Sequence, residues 1–82
     1  MKNLSNAEIL DFVVLDGNRN DVYAVMSMPI IYTKTGHVEA IIQHYSISEG
    51  FSGENLILQT GDEFEFISDE ELSEIIHKMK AA

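Results

Sequence analysis

Ten carboxylates lie between Thr35 and His77, and no lysine or arginine interrupts them. They are Glu39, Glu49, Glu54, Asp62, Glu63, Glu65, Asp69, Glu70, Glu71 and Glu74. The whole chain carries 14 acidic residues against 5 lysines and arginines, for a formal net charge of −9 at pH 7. A surface of this sign repels nucleic acid and anionic lipid and attracts basic proteins. We therefore predict a basic protein partner, with no direct binding of nucleic acid or membrane.

Part of this acidity has a structural explanation. Acidic residues at a helix start stabilise the helix dipole, and acidic residues in general keep small proteins soluble. The functional interpretation is that the remaining carboxylates, extended by those at the helix start, form one surface for a partner. The candidate partner-binding residues are Asp62, Glu63, Glu65, Asp69, Glu70 and Glu74.

The spacing of Glu63 and Glu65 suggests what such a surface would imitate. On an extended strand the two residues would lie roughly 7 Å apart, and the acidic residues of the helix would continue the row. A row of this kind fits the groove of a nucleic-acid-binding protein, as in inhibitors that mimic nucleic acid. The leading prediction is a non-enzymatic protein-binding module or inhibitor, and a small viral inhibitor of a host nucleic-acid enzyme fits the composition as well.

The motifs that would hold a metal fail on spacing. The loop 16–21 begins like a calcium loop, but Asp21 stands where a glycine is needed and Ser27 where a bidentate glutamate belongs. The chain has no cysteine, and it contains no His-x₃-His or His-Glu-x-x-His pattern that could begin a zinc site. We predict no metal and no cofactor.

An enzyme is not predicted either. The stretch 50–53 lacks the Gly-x-Ser-x-Gly spacing of a nucleophile elbow. Acid–base catalysis needs a carboxylate with a raised pKa in an enclosed cleft, whereas alternation along a strand predicts solvated side chains for Glu63 and Glu65. Catalysis would require a deep pocket that joins His44 or His77 to a buried carboxylate.

Length and composition indicate one small domain that spans residues 1–82. A second domain would leave two fragments too small to fold. An apolar content of 45% is higher than disordered acidic tails carry. No apolar run approaches the roughly 20 residues that cross a bilayer, and the first residues lack the apolar segment of a secretory signal. We expect a cytoplasmic protein.

The clearest predicted element is a C-terminal helix. Ser68 is a good N-cap residue, and Glu71 three positions later completes a capping box. Lys78 and Lys80 suit the negative end of the helix dipole. The apolar residues at helical spacing form one stripe, made of Leu72, Ile75, Ile76 and Met79. Because a helix of about twelve residues is marginal alone in water, the stripe must pack on a sheet.

Two hairpins are predicted before the helix. In the later one, alternation places Phe64 and Phe66 on one face, and a three-residue loop at 60–62 would pair them with Leu58 and Leu56. In the earlier one, residues 22–32 and 37–47 are joined by a turn at 33–36. Pro29 cannot donate a ladder hydrogen bond and therefore marks an edge or a bulge.

The earlier hairpin also supports an alternative function. The strand at 22–32 carries more apolar surface than a small sheet needs, in Met26, Met28, Ile30 and Ile31. An exposed edge there would self-pair. The alternative prediction is a structural or assembly module that forms a homodimer through an apolar strand edge.

The overall prediction is an α+β fold. It consists of an antiparallel sheet of four to five strands, with the C-terminal helix packed on it and a short N-terminal helix as a second candidate for packing there. Residues 6–15 leave two choices open. Ser5 with Glu8 is a second capping box that favours a helix over 6–12, whereas the apolar stretch 12–15 favours a strand after only a short helical turn.

Three short stretches resemble a known family. They are Val14-Leu15-Asp16-Gly17-Asn18, Val22-Tyr23-Ala24-Val25-Met26, and Phe66-Ile67-Ser68-Asp69-Glu70-Glu71-Leu72. In this order they resemble the YrzB-like family of small acidic bacterial proteins of unknown function. The resemblance implies strands around an Asp-Gly turn and an acidic start to the last helix. It carries no known site, so no functional residue follows from it.

Overall fold

A computed structural model describes residues 2–81, which form seven strands, one 3₁₀ turn and one α-helix. The 3₁₀ turn is Leu4–Asn6, and the strands are β1 (Phe12–Leu15), β2 (Val22–Val25), β3 (Ile30–Tyr32), β4 (His37–Ser46), β5 (Gly50–Phe51), β6 (Leu56–Gln59) and β7 (Phe64–Phe66). The helix α1 is Asp69–Ala81. The predicted α+β fold is confirmed, although seven strands replace the four or five expected. No helix within residues 2–81 is long and apolar enough to cross a membrane.

β4 is the centre of an antiparallel sheet whose main strand order is β3-β4-β2-β1-β7. Along its ten residues β4 pairs in turn with β3, β6, β2 and β5. Val38, Ala40 and Ile42 of this strand are all buried, as their alternation predicts. The predicted hairpin around residues 33–36 is confirmed, since Tyr32 pairs with His37.

The strand count rises partly because the predicted strand 22–32 is broken in the middle. Four residues, 26–29, separate β2 from β3, whereas only two residues of β4 lie between their partners Ile42 and Glu39. Pro29 within this bulge has no N–H to donate to a ladder. The hydroxyl of Ser27 compensates, because it accepts a hydrogen bond of 2.9 Å from the Ile41 N–H. The prediction of an edge or bulge at Pro29 is correct.

The predicted hairpin between β6 and β7 is wrong. Leu58 pairs with Ala40 of β4, while Phe64 pairs with Leu15 of β1. At the end of β6, the Thr60 N–H donates to the Val38 carbonyl at 2.9 Å, which keeps this segment on β4. Alternation predicts the covered side chains Leu58, Phe64 and Phe66 correctly, but Leu56 is 40% exposed. It carries no information about which strand lies alongside.

Two apolar clusters hold the sheet together on its two faces. The inner one gathers Val13, Val25, Val38, Ala40, Ile42 and Leu58 under the 3₁₀ turn, with Phe64 and Phe66 packed against it. The second joins Val14 and Val22 to Ile75 of α1, with Met79 and Tyr45 at its border. Neighbouring residues Val13 and Val14 thus serve opposite faces, as strand geometry requires.

The helix begins as predicted. The Ser68 hydroxyl accepts a hydrogen bond of 3.1 Å from the Glu71 N–H, which confirms Ser68 as the N-cap. The carboxylate of Glu71 does not return to Ser68 as a capping box requires, but contacts Arg19. Ile75 is buried against the sheet with Met79 beside it, and Leu72 and Ile76 are half-buried, so the predicted stripe is the covered face of the helix.

The N-terminal segment follows the alternative of a short turn and then a strand. Asn3, rather than Ser5, caps the 3₁₀ turn, and the Glu8 N–H donates to the Asp11 carboxylate. Leu10 has a positive φ of 72°, which no α-helix accommodates. Of the two alternatives, the helix over 6–12 is therefore excluded, and the strand at 12–15 is confirmed.

Candidate acidic interface

Arg19 forms an ion pair with Glu65, so the predicted carboxylates do not make one uninterrupted acidic row. It lies in the β1–β2 turn, and its guanidinium contacts Glu65 of β7 at 2.6 Å and Glu71 of α1. Hydrogen bonds to Glu65 and then Glu71 raise the pKa of this guanidinium above its usual value. Glu63 and Glu65 are therefore not equivalent, because the charge of Glu65 is opposed within the molecule.

Sequence reasoning missed this role of Arg19. The two contacts bridge 46 and 52 positions of the chain, and nothing in the local pattern says which carboxylates fold onto it. The only available signal is that Arg19 is the sole arginine of an acidic chain. Such a residue is expected to bind carboxylates of its own molecule. The sequence does not indicate which carboxylates these are.

Three of the predicted residues lie together on α1. Asp69, Glu70 and Glu74 line one shallow surface of the helix, which His77 and Lys78 also border. All three are exposed, and none forms an ion pair with another residue of the described range 2–81. Asp69 and Glu70 occupy the first turn, where the helix dipole stabilises negative charge. We call Asp69, Glu70 and Glu74 the helix carboxylates.

The other two predicted residues border a cleft at the β6–β7 turn. Its volume is about 320 Å³, and its apolar lining is Leu15, Ile42, Leu56, Ile57 and Leu58. Its polar lining consists of Asp16, Asp62 and Glu63, without a basic residue. We call these the cleft carboxylates.

Asp16 is an addition that the sequence did not predict. The Asp16 N–H donates to the Glu63 carbonyl at 3.1 Å, which continues the β1–β7 pairing beyond the strand ends. The sequence indicates only a turn at Asp16, because Glu63 immediately precedes β7, whose partner strand is predicted wrongly. Asp62 also has a structural role, since its carboxylate accepts from the Gln59 N–H at 3.0 Å.

The cleft carboxylates surround a site suited to a long basic side chain. Lysine and arginine bury their aliphatic stems on apolar surface while their charged ends stay near water. A carboxylate at the border of such a surface accepts a charge-assisted hydrogen bond, which is stronger than a neutral one. The cleft therefore combines an apolar floor and negative charge within one space.

No histidine lines the cleft, whereas His77 borders the surface of the helix carboxylates. His44 Nε2 is 3.0 Å from the Asp21 carboxylate, and the His44 ring packs edge-on against Tyr23. No aspartate or glutamate among residues 2–81 is buried, and no Ser or Thr hydroxyl in that range hydrogen-bonds the His44 ring. The same range holds no cluster of three or more potential metal ligands.

Comparisons with known proteins found no matching family model, no matching curated protein and no matching solved structure.

Proposed function

We propose that this chain is a non-enzymatic protein-binding module that uses its acidic surface against a basic protein. The supporting observation is the apolar cleft whose polar lining is three carboxylates and no basic residue. A nucleic-acid-binding protein is the class of partner with the matching charge. The cytoplasmic location and the YrzB-like resemblance stay predictions.

Contact at the cleft would supply specificity. A partner's lysine or arginine would pack its stem against Leu56, which is 40% exposed, and direct its charge to Glu63 and Asp16. An exposed carboxylate without an apolar floor offers only a screened ion pair, worth little in water. The cleft is thus expected to contribute more than any isolated surface glutamate.

The helix carboxylates would act mainly on the rate of encounter. Asp69, Glu70 and Glu74 add to the attractive field of the chain, and complementary charge accelerates association more than it slows dissociation. This field weakens as the Debye length falls from about 10 Å at 0.1 M salt to about 3 Å at 1 M. Binding of the partner should therefore weaken as salt rises.

Charge reversal at one residue tests the cleft. We expect Glu63→Lys to weaken binding of a short fluorescent oligolysine peptide by roughly tenfold, because it removes one attraction and adds one repulsion. Fluorescence anisotropy at low salt measures the affinity. Glu54→Lys is the matched control, since Glu54 is an exposed acidic residue outside the cleft and the change in net charge is identical. Equal losses in the two variants would mean that only net charge acts.

Competition tests the class of partner. The chain, immobilised, should retain basic nucleic-acid-binding proteins from a bacterial lysate at low salt and release them when DNA is added. Glu63→Lys should retain less of the same proteins than Glu54→Lys. Retention that neither DNA nor high salt reduces would contradict both the charge-based mechanism and imitation of nucleic acid.

A further inference from the structure

We infer that a second copy of this chain docks on an apolar face of the sheet, through contacts that do not involve the cleft carboxylates. This apolar face consists of Ile30 and Tyr32 of β3, Ile41 of β4 and Ile57 of β6, with Met28 at its border. Ile57 also lines the cleft, so the face and the cleft adjoin at this residue. Ile30, Ile57 and Met28 are 57%, 59% and 63% exposed. Isolated exposed apolar residues are ordinary, but a contiguous set indicates an interaction surface.

The register of the strands makes these residues neighbours. Ile41 pairs directly with Ile57, and Ile30 pairs with Glu39 two positions before Ile41. Side chains two positions apart on a strand share a face. Ile30, Ile41 and Ile57 accordingly line a common cavity of about 140 Å³ at the surface.

The charge of this face distinguishes it from the rest of the chain. No acidic residue occurs from Val22 to Val38, and that segment carries Lys34. Glu39 is the acidic residue within the face, and its carboxylate lies 3.4 Å from His37 Nε2. Glu39 also hydrogen-bonds the Tyr32 hydroxyl, which raises the pKa of Tyr32 above its usual value.

This distribution of acidic residues favours a second copy of the chain as the molecule that docks on the apolar face. Two copies that each carry a net charge of −9 repel one another at most orientations. They can approach where acidic residues are fewest, which is this face. A basic partner would gain little from it, because the one carboxylate present already contacts His37 and Tyr32.

The position of β3 allows a two-fold arrangement. Within the described residues β3 pairs only with β4 and stands at one end of the strand order. A two-fold axis beside β3 would bring the same face of both copies together, so that each apolar residue meets another.

Sedimentation equilibrium over a range of concentrations tests this dimer. The wild-type chain should form a reversible dimer that strengthens as salt rises, because salt screens the repulsion between copies. This dependence is opposite to that of the acidic surface, so each proposal can fail without the other. A chain that stays monomeric at every concentration, or a dimer that weakens as salt rises, would overturn the inference.

Substitution within the face identifies the interface. Ile30→Asp should raise the dimer dissociation constant at least tenfold, which corresponds to about 1.4 kcal/mol. Ile9→Asp is the matched control, because Ile9 is 52% exposed and lies outside the face, and it should dimerise as the wild type does. Ile30→Thr keeps a β-branched residue in the strand and should weaken the dimer even if Ile30→Asp fails to fold. Unchanged dimerisation of a folded Ile30 variant would overturn the inference.

Discussion

The cleft with its carboxylates and the apolar face differ in how they treat negative charge. At the cleft, Asp16, Asp62 and Glu63 border apolar residues without a basic neighbour in the lining. At the apolar face, the single carboxylate of Glu39 contacts His37 and Tyr32. The negative charge of this chain is therefore distributed unevenly over its surface. One surface attracts basic groups, and the other is the place where a second acidic chain can approach.

The largest expected effect is a loss of folding stability, which should be large for a core residue and small for a residue of the apolar face. Leu58 is 1% exposed and its neighbour Ile57 is 59% exposed, on the opposite side of β6. Leu58→Ala should lower the free energy of unfolding by about 2–5 kcal/mol, because it leaves a cavity. Ile57→Ala should cost less than about 1 kcal/mol in a monomer.

Urea denaturation at low protein concentration measures both values. The low concentration keeps any dimer dissociated, so that the comparison concerns the fold alone. If Ile57→Ala destabilises the chain as much as Leu58→Ala does, Ile57 belongs to a core and the apolar face is not a free surface.

A smaller effect, on the affinity for oligolysine, is expected when the ion pairs of Arg19 with Glu65 and Glu71 are removed. Arg19→Gln frees Glu65 and Glu71, so the variant should bind oligolysine more tightly at low salt than the wild type. It should also unfold at a slightly lower temperature, because the β1–β2 turn loses its contacts with β7 and α1. Both effects should shrink as salt rises.

Lys34→Gln provides the control for this change. It alters the net charge equally, but Lys34 forms no ion pair with the residues described in 2–81. Its affinity for oligolysine should rise only by the effect of net charge. Equal affinities for the two variants would show that Arg19 does not withhold Glu65 and Glu71 from a partner.

The smallest expected effect is a change in the pKa of Tyr32 when Glu39, the carboxylate within the apolar face, is replaced. Because Glu39 raises the pKa of Tyr32, Tyr32 should lose its proton at a higher pH than an ordinary tyrosine. The corresponding stabilisation is present below the unfolded-state pKa of tyrosine and is lost as pH rises through the raised folded-state pKa. Glu39→Gln should return the pKa of Tyr32 toward its ordinary value.

An ultraviolet titration follows the tyrosines at alkaline pH. The difference between the wild type and Tyr32→Phe assigns the Tyr32 transition among the three tyrosines. A Tyr32 transition that Glu39→Gln leaves unchanged would mean that the carboxylate is free, and the charge argument for the apolar face would then fail.

The sequence predicted the elements better than their arrangement. The N-cap at Ser68, the helix after it, the buried face of β4 and the half-buried face of β7 follow from local periodicity and hydrogen-bonding chemistry, and all are observed. The partners of β6 and β7 depend on residues far away in the chain. Alternation assigns Phe64 to the buried face, but it cannot indicate that Leu15 lies beside it.

The same limit applies to the candidate interface. All six predicted residues stay candidates, and the structure places them in different surroundings. Glu65 contacts Arg19, Asp62 and Glu63 line the cleft, and the helix carboxylates lie on α1. Composition counts carboxylates, but it cannot tell which of them a distant arginine opposes. Asp16 and Arg19 were not predicted as part of the interface for this reason.

The most direct test of the account is an amide-resolved magnetic resonance titration of the isotope-labelled chain with oligolysine at low salt. The largest shifts are expected at the cleft, around Asp16, Leu56 and Glu63, with smaller shifts along the helix carboxylates. Residues of the apolar face on β3, such as Ile30, should not shift. Equal shifts around every exposed carboxylate, including Glu49 and Glu54, would contradict it, because the chain would then bind basic groups through net charge alone.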